Sequence, residues 1–129
     1  MKTVDIATDK SARQKYTTQF VPGPLGTVGG GGNSGFQALN LAVQLGSRDI
    51  ILVGFDMNHE APVHWYGRNR WPMANNPDKS NFARWIEAFE AAAVPLRAMG
   101  VRVVNCSPIS KLKCFPVMTV DKALEGFAV

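Results

Sequence analysis

The sequence lacks the long apolar segments that mark membrane-spanning and secreted proteins. No apolar run among its 129 residues reaches the length of a transmembrane span. The N-terminal segment MKTVDIATDK has no apolar signal-peptide core. The length suits one domain with one modest core. We therefore expect residues 1–129 to form a single cytoplasmic domain.

Cysteines and metal-ligand patterns are also scarce. Cys106 and Cys114 are the only cysteines, and their spacing matches neither a C-x-x-C pattern nor a zinc site. We therefore expect reduced thiols, and Cys106 has no identifiable base partner that would make it a nucleophile. The segment His59-Glu60-x-x-x-His64 departs from the H-E-x-x-H spacing of helical zinc sites. We expect no metal and no cofactor.

The chain has little net charge of either sign, at +4. The excess of basic residues favours an anionic ligand, but it is too weak and scattered to predict a duplex nucleic acid as partner. A solvated basic surface is the alternative interpretation. The basic residues form three small clusters: Lys10, Arg13 and Lys15; Arg68 and Arg70; and Lys111 and Lys113.

Apolar spacing in the first half of the chain predicts a strand, a loop and a helix. Val4 and Ile6 alternate with polar neighbours, which predicts a short strand. Residues 7–28 contain two prolines and two glycines and predict a long loop. A helix follows over about 34–45, with Asn33 or Ser34 as its cap and Gly46 at its end. We expect its buried side to comprise Phe36, Leu39, Ala42, Val43 and Leu45.

The second half continues the alternation. Residues 49–54 are continuously apolar after the first position, which is typical of a strand covered on both faces of a parallel sheet. Residues 55–77 predict a long aromatic and basic loop, and loops of that length are usually functional. Residues 80–99 have helical spacing, with Pro95 expected to kink the helix or split off its last turn. Residues 101–104 predict a third strand.

The order of these elements predicts an α/β fold, because strands that alternate with helices form parallel sheets with right-handed crossovers. We expect a small Rossmann-like three-layer domain with a short, mostly parallel sheet, followed by a short helix near 121–125. A sheet of three strands leaves exposed edges, so we also expect a homo-oligomer or a covering tail.

The glycine loop, residues 29–35, is the most informative segment, with five glycines in seven residues directly before the first helix. Bare backbone N–H groups at a helix N-terminus favour an anion. The loop matches G-x-G-x-x-G, but the residues before it predict a poor core strand, and no Gly-Lys-Ser/Thr follows as in a Walker A loop. A flexible surface turn is the alternative. The predicted ligand-binding residues here are Gly31, Gly32, Asn33, Ser34 and Gly35.

Polar residues follow the two predicted core strands, where ligands bind in parallel sheets. Asp56 follows the second strand and is a candidate for hydrogen bonds to ribose hydroxyls, or else a turn residue. Asn105 and Ser107 follow the third strand and either line the site or cap the loop, as does Ser110. We expect Trp85 and Phe89 to belong to the core.

The segment His64-Trp65-Tyr66-Gly67-Arg68-Asn69-Arg70-Trp71 interleaves aromatic rings with cations. Rings stack on bases and guanidinium groups bind phosphates in a bidentate manner. We expect ligand contacts from His64, Trp65, Arg68 and Arg70. A packing or dimer-contact loop is the alternative.

Five motifs stand in a fixed order along the chain: Gly32-Asn33-Ser34-Gly35-Phe36-Gln37-Ala38-Leu39, Leu52-Val53-Gly54-Phe55-Asp56-Met57, His64-Trp65-x-Gly67, Asn76-Pro77 and Asn105-Cys106-Ser107-Pro108. In this order they resemble the motifs of a group of small phage and prophage proteins. They are also distantly similar to the nucleotide-binding half of bacterial sialyltransferases and of the pterin pyrophosphokinase-like family, over about residues 27–116. The resemblance implies a Rossmann-like fold that binds a nucleotide, with Asn33, Ser34, Gly35 and Asp56 at matching positions.

Those enzymes carry a further Rossmann-like portion before the glycine loop, where this chain has about 28 residues. A two-substrate reaction needs both partners positioned, so we expect the chain to hold a nucleotide rather than turn it over. In a phage setting this means sequestering a host signalling nucleotide, as an anti-defence protein would. The alternatives are a transferase or hydrolase acting on a nucleotide or nucleotide-sugar, with Asp56, His59 or His64 as base, and a structural or accessory phage protein.

Overall fold

A computed structural model of the chain describes residues 5–7, 19–60, 64, 66–73 and 76–127. No helix in that part of the chain is both long and apolar enough to cross a membrane. The elements confirm a small α/β arrangement. The strands are β1 (Asp5–Ala7), β2 (Thr27–Gly29), β3 (Asp49–Leu52) and β4 (Arg102–Asn105), and the helices are α1 (Ser34–Gln44), α2 (Lys79–Ala98) and α3 (Val120–Phe127).

The strands form two parallel pairs. β1 pairs with β2, with Ala7 opposite Gly29. β3 pairs with β4, with Leu52 opposite Asn105. No ladder joins β2 to β3 among the described residues. The predicted parallel pairing is therefore confirmed within each pair.

Strand β2 corrects the prediction that residues 7–28 form only a loop. Its three residues are too few for an alternating pattern to be visible in the sequence. Polar side chains of α1 hold it instead: Gln44 Nε2 donates to the Thr27 carbonyl at 2.7 Å, and Asn40 Oδ1 accepts from the Gly29 N–H at 2.8 Å. The glycine loop therefore runs from a strand into a helix.

The main core lies where α1 and α2 pack against β3 and β4. Leu52 and Val103 belong to it, whereas Val104 packs with Ala123 of α3. β3 is shorter than the predicted strand 49–54, because Val53 is 64% exposed and Gly54 turns the chain at φ +77°. The buried apolar residues of this core are Phe20, Phe36, Leu39, Val43, Leu52, Ala88, Phe89, Ala92, Ala93, Leu96, Val101, Val103, Leu112 and Phe115.

The helix boundaries lie close to the predicted ones. Asn33 caps α1, but Leu45, which we expected to be buried, is 65% exposed and forms the C-cap. Asn40 is fully buried on that helix instead. α2 continues through Pro95 to Ala98, so its last turn is not split off. The third helix is longer than the predicted 121–125.

Candidate functional site

A cleft of about 420 Å³ opens beside the start of α1. Its walls are the first residues of α1, the turn that follows β3, and the first two turns of α2. The first two of these segments follow strands at their carboxyl ends, which is where parallel sheets bind ligands. The lining residues are Asn33, Ser34, Gly35, Gly54, Phe55, Asp56, Met57, Asn58, His64, Pro77, Phe82 and Trp85.

The glycines of the loop have packing reasons as well as conformational ones. Gly31 and Gly32 have φ of +56° and +77°, the left-handed region that side chains disfavour. A Cβ on Gly31 would overlap the ring of Phe36, and one on Gly32 would lie 3.0 Å from Nε1 of Trp85. A Cβ on Gly35 would lie 2.8 Å from the Phe55 ring. These residues let the loop and the helix pack closely against aromatic side chains.

The N-terminus of α1 presents hydrogen-bond donors to the cleft. Asn33 Oδ1 accepts from the N–H of Phe36 at 2.8 Å, which satisfies one of the free donors of the first turn. The N–H groups of Ser34 and Gly35 have no acceptor among the described residues. The first turn holds no acidic side chain. This wall of the cleft favours an anionic group or another acceptor.

Aromatic rings form a second wall. Phe82 and Trp85 meet edge to face with centroids 5.2 Å apart, and Phe55 packs edge to face on the buried Phe89 at 5.6 Å. Phe89 is a core residue, as predicted. Trp85 differs from the prediction: it is only partly buried and lines the cleft. The sequence carries one signal for this position: Trp85 lies within the first two turns of the predicted helix 80–99, close to the predicted functional loop 55–77.

The indole nitrogen of Trp85 is buried and has no hydrogen-bond partner among the described residues. Gln44 Oε1 is the other such atom in this part of the chain. A buried donor left unpaired costs roughly 1–3 kcal/mol. The Trp85 nitrogen lies against Gly32, so the unpaired donor sits beside the glycine loop.

Asp56 and His64 both line the cleft, so the structure brings these two predicted residues together. The Asp56 carbonyl accepts from the Lys111 N–H at 2.8 Å, whereas its carboxylate has no hydrogen bond or ion pair with the described residues. His64 stacks on Tyr66 with centroids 4.8 Å apart, and its Nε2 lies 3.4 Å from Asn69 Nδ2. The Asp56 carboxylate is therefore available to a ligand, and the contacts with Tyr66 and Asn69 orient the His64 ring.

Met57 holds the turn after Asp56 in an unusual conformation. Its φ is +47°, a left-handed value that is uncommon for a residue with a side chain. The Met57 side chain packs on the main core. The core contact fixes the turn and with it the place of the Asp56 carboxylate.

Asn105 and Ser107 are buried and do not line the cleft. Ser107 Oγ accepts from the Phe55 N–H at 2.8 Å, and Asn105 Oδ1 accepts from the Ser107 N–H at 3.0 Å. Ser110 Oγ donates to the Phe55 carbonyl at 2.5 Å and accepts from Asn105 Nδ2 at 2.9 Å. Ser107 and Ser110 therefore hydrogen-bond the backbone N–H and carbonyl of Phe55, and Asn105 bonds to both serines. These bonds hold the Phe55 backbone at the edge of the cleft.

Arg68 and Arg70 lie outside this cleft. Together with Tyr66 and Trp71 they line a separate, wide depression of about 720 Å³. Both arginines are exposed, and neither pairs with a carboxylate of the described residues. Trp65, the remaining predicted contact of this loop, lies outside the described residues.

Metal-binding and thiol chemistry find little support in the described residues. No group of three histidine, cysteine or acidic side chains lies together there. Burial raises the pKa of the Cys114 thiol to about 11, and the Glu90 carboxylate adds to the shift. Cys106 is buried. The Cys114 thiol is therefore protonated at neutral pH and not a thiolate nucleophile.

A comparison with protein families, curated proteins and solved structures finds no match to this chain.

Proposed function

We propose that the cleft binds a nucleotide-type anion and holds it. The supporting observation is that three complementary surfaces meet in one cleft of about 420 Å³. The start of α1 offers backbone donors to phosphate oxygens, the Phe82 ring offers its face or edge to a base, and the Asp56 carboxylate offers an acceptor to ribose hydroxyls. A nucleotide uses all three.

Holding the ligand is favoured over turning it over. Within the described residues no hydrogen bond joins a serine, threonine or cysteine of the cleft to a base, and Asp56 is not bonded to His64. A nucleophile and base within hydrogen-bond reach of each other are the usual signature of covalent catalysis. The proposal therefore assigns binding roles to Ser34, Asp56 and His64.

The three-layer architecture and the biological setting are part of the same proposal. Helices α1 and α2 lie over one face of the β3–β4 pair and α3 over the other, which supports a Rossmann-like three-layer arrangement. The motif resemblance supports a phage or prophage protein, acting in the host cytoplasm to sequester a signalling nucleotide. Among the described residues, the edge of β3 away from β4 has no strand partner, which supports self-association.

Calorimetric titration of the four common ribonucleoside monophosphates, diphosphates and cyclic forms tests the proposal. We expect at least one to bind the wild type, and Asp56→Asn to weaken its affinity by roughly tenfold, since an ionised acceptor is lost. The matched control is Asp121→Asn on α3, away from the cleft, which we expect to leave affinity unchanged. Binding by none of these nucleotides contradicts the proposal.

The enzymatic alternative rests on the presence of Asp56 and His64 in the same cleft. The samples from the calorimetric titration distinguish this alternative from binding without turnover. Chromatography of the ligand after titration shows one unchanged compound if the protein holds its ligand. A new product whose formation is lost in His64→Ala supports a transferase or hydrolase instead.

A further inference from the structure

The indole N–H of Trp85 has no acceptor among the described residues. The neighbouring groups of the cleft indicate which kind of ligand group would accept from it. Nε1 is inaccessible to solvent and unpaired among the described residues. Buried polar groups in folded proteins are paired in the great majority of cases, and the exceptions call for an explanation such as an absent ligand. Here other atoms of the indole line the cleft, so a ligand bound at the glycine loop would lie next to the covered nitrogen.

The groups around this donor are donors too. The N–H groups of Ser34 and Gly35, which line the same cleft, have no acceptor within the described part of the chain. Asn33 Oδ1 is already used by the N–H of Phe36. Several free donors in one cleft are complementary to a phosphate, which has several acceptor oxygens.

A ligand reaches the indole nitrogen only if the glycine loop shifts, because the nitrogen is buried against Gly32. Gly32 has no side chain that would obstruct such a shift. The loop's own bonds are long: Asn33 N–H to the Gly30 carbonyl at 3.4 Å, and Asn33 Nδ2 to the Gly31 carbonyl at 3.3 Å. Adjacent glycines at 31 and 32 supply the conformational freedom.

We infer that Trp85 reads the phosphate of the ligand: its indole N–H donates to a phosphate oxygen at the mouth of the glycine loop, beside the N–H groups of Ser34 and Gly35. The inference rests on the proposed nucleotide-binding function and narrows it. The ligand carries its phosphate at the α1 end of the cleft and its ribose hydroxyls toward Asp56. Trp85 is a specificity-determining residue that separates nucleotides from nucleosides.

A proton–nitrogen correlation spectrum tests this directly, because each indole N–H gives its own signal. The chain has three tryptophans, Trp65, Trp71 and Trp85. Trp85→Phe and Trp71→Phe assign two of the signals. We expect inorganic phosphate to shift the Trp85 signal downfield, as a new hydrogen bond forms, and to leave the Trp71 signal in place, since that side chain is 79% exposed outside the cleft. A Trp85 signal that does not respond to phosphate or to any nucleotide overturns the inference.

Affinity provides the second readout. Trp85→Phe keeps a ring that packs on Phe82 but removes the donor. We expect it to weaken a nucleoside monophosphate by roughly tenfold and to leave the matching nucleoside unchanged, because a bond to a charged group is lost. Trp71→Phe is the matched control and should change neither affinity.

The outcomes separate the inference from the function on which it rests. If nucleotides bind the wild type and Trp85→Phe equally well, the cleft holds nucleotides but Trp85 does not read their phosphate. If Trp85→Phe weakens nucleoside and nucleotide alike, the indole contacts the base, and the phosphate assignment is wrong. If the wild type binds no phosphorylated nucleoside, the proposed function fails, and the inference fails with it.

Discussion

At the residue scale, the glycines of the loop show how one residue type serves two purposes. Gly31 and Gly32 adopt left-handed conformations, whereas Gly35 lies inside the first turn of α1 with no unusual φ. Gly35 is glycine because the Phe55 ring lies where its Cβ would be. The ring and the helix end together form one corner of the cleft, so the absence of a side chain shapes the site as well as the loop.

Gly35→Ala should therefore destabilise the protein although alanine favours helices. The methyl group would lie 2.8 Å from the Phe55 ring, which packs on the buried Phe89 while Ser107 and Ser110 hydrogen-bond the Phe55 backbone. Overpacking of this kind costs about 1–3 kcal/mol, more than the roughly 1 kcal/mol gained from helix propensity. Urea denaturation should show a lower free energy of unfolding.

Gly126→Ala is the matched control for that substitution. Gly126 lies in α3 with open space around its Cβ position and no left-handed φ. We expect it to raise the free energy of unfolding by up to about 1 kcal/mol. A stabilised Gly35→Ala protein would show that Phe55 moves freely and that the corner is not fixed as described.

At the scale of elements, α2 carries the aromatic wall, and its start is set by an explicit cap. The Asp78 carboxylate accepts from the N–H groups of Ser80 and Asn81 at 2.8 and 3.0 Å, and Asn81 Oδ1 accepts from the Asp78 N–H at 3.0 Å. This is a capping box with asparagine at its third position. The cap fixes the first turn, from which Phe82 and then Trp85 project into the cleft.

Asp78→Ala should lower the urea midpoint at neutral pH, because the cap's hydrogen bonds are lost. The Ser80 hydroxyl, with the backbone N–H of Asn81, holds the pKa of the Asp78 carboxyl below its ordinary 3.8. A lowered folded pKa means that the contribution is present above 3.8 and is lost as the pH falls through the folded value. The difference between wild type and Asp78→Ala should therefore shrink in acid.

Asp78→Ser separates the cap from the charge. Serine caps helices without titrating, so the difference between this variant and Asp78→Ala should stay constant in acid. If the difference between wild type and Asp78→Ala is also constant from pH 7 to pH 2, the ionised carboxylate contributes nothing to the cap.

Most elements could be predicted because their signals are local. The spacing of Phe36, Leu39 and Val43 predicts α1, and the apolar run from Ile50 predicts β3. β2 could not be predicted, since its three residues are held by Asn40 and Gln44 from another element. The end of β3 before Val53 could not be predicted either. An apolar run indicates a strand but does not show at which residue the chain leaves the sheet.

At the scale of the whole molecule, the cleft is assembled from three segments that are distant in sequence. The predicted topology brought the glycine loop and Asp56 to one edge of the sheet, and Ser34 and Asp56 both line the same cleft. The direction in which each side chain points could not be predicted from the sequence. Asn105 follows β4 as expected, yet its amide is buried among Ser107, Ser110 and Leu112 rather than in the cleft.

The basic aromatic loop shows the same difficulty. Its composition predicted one site with the glycine loop, and His64 does reach the cleft. The chain then turns at Gly67, with φ +91°, and Arg68 and Arg70 line their own depression. Neighbouring residues on a loop need not share a site, because a single turn separates their side chains.

The central claim is that the cleft holds a nucleotide unchanged, and recovery of the ligand tests it most directly. Purified protein is incubated with an equimolar mixture of nucleotides, separated from free ligand, denatured, and the released compounds are identified by mass spectrometry. We predict one nucleotide, stoichiometric with the protein and of unaltered mass, and a smaller amount of it recovered from Asp56→Asn. Release of no nucleotide, or of a compound chemically different from every one supplied, would contradict the account.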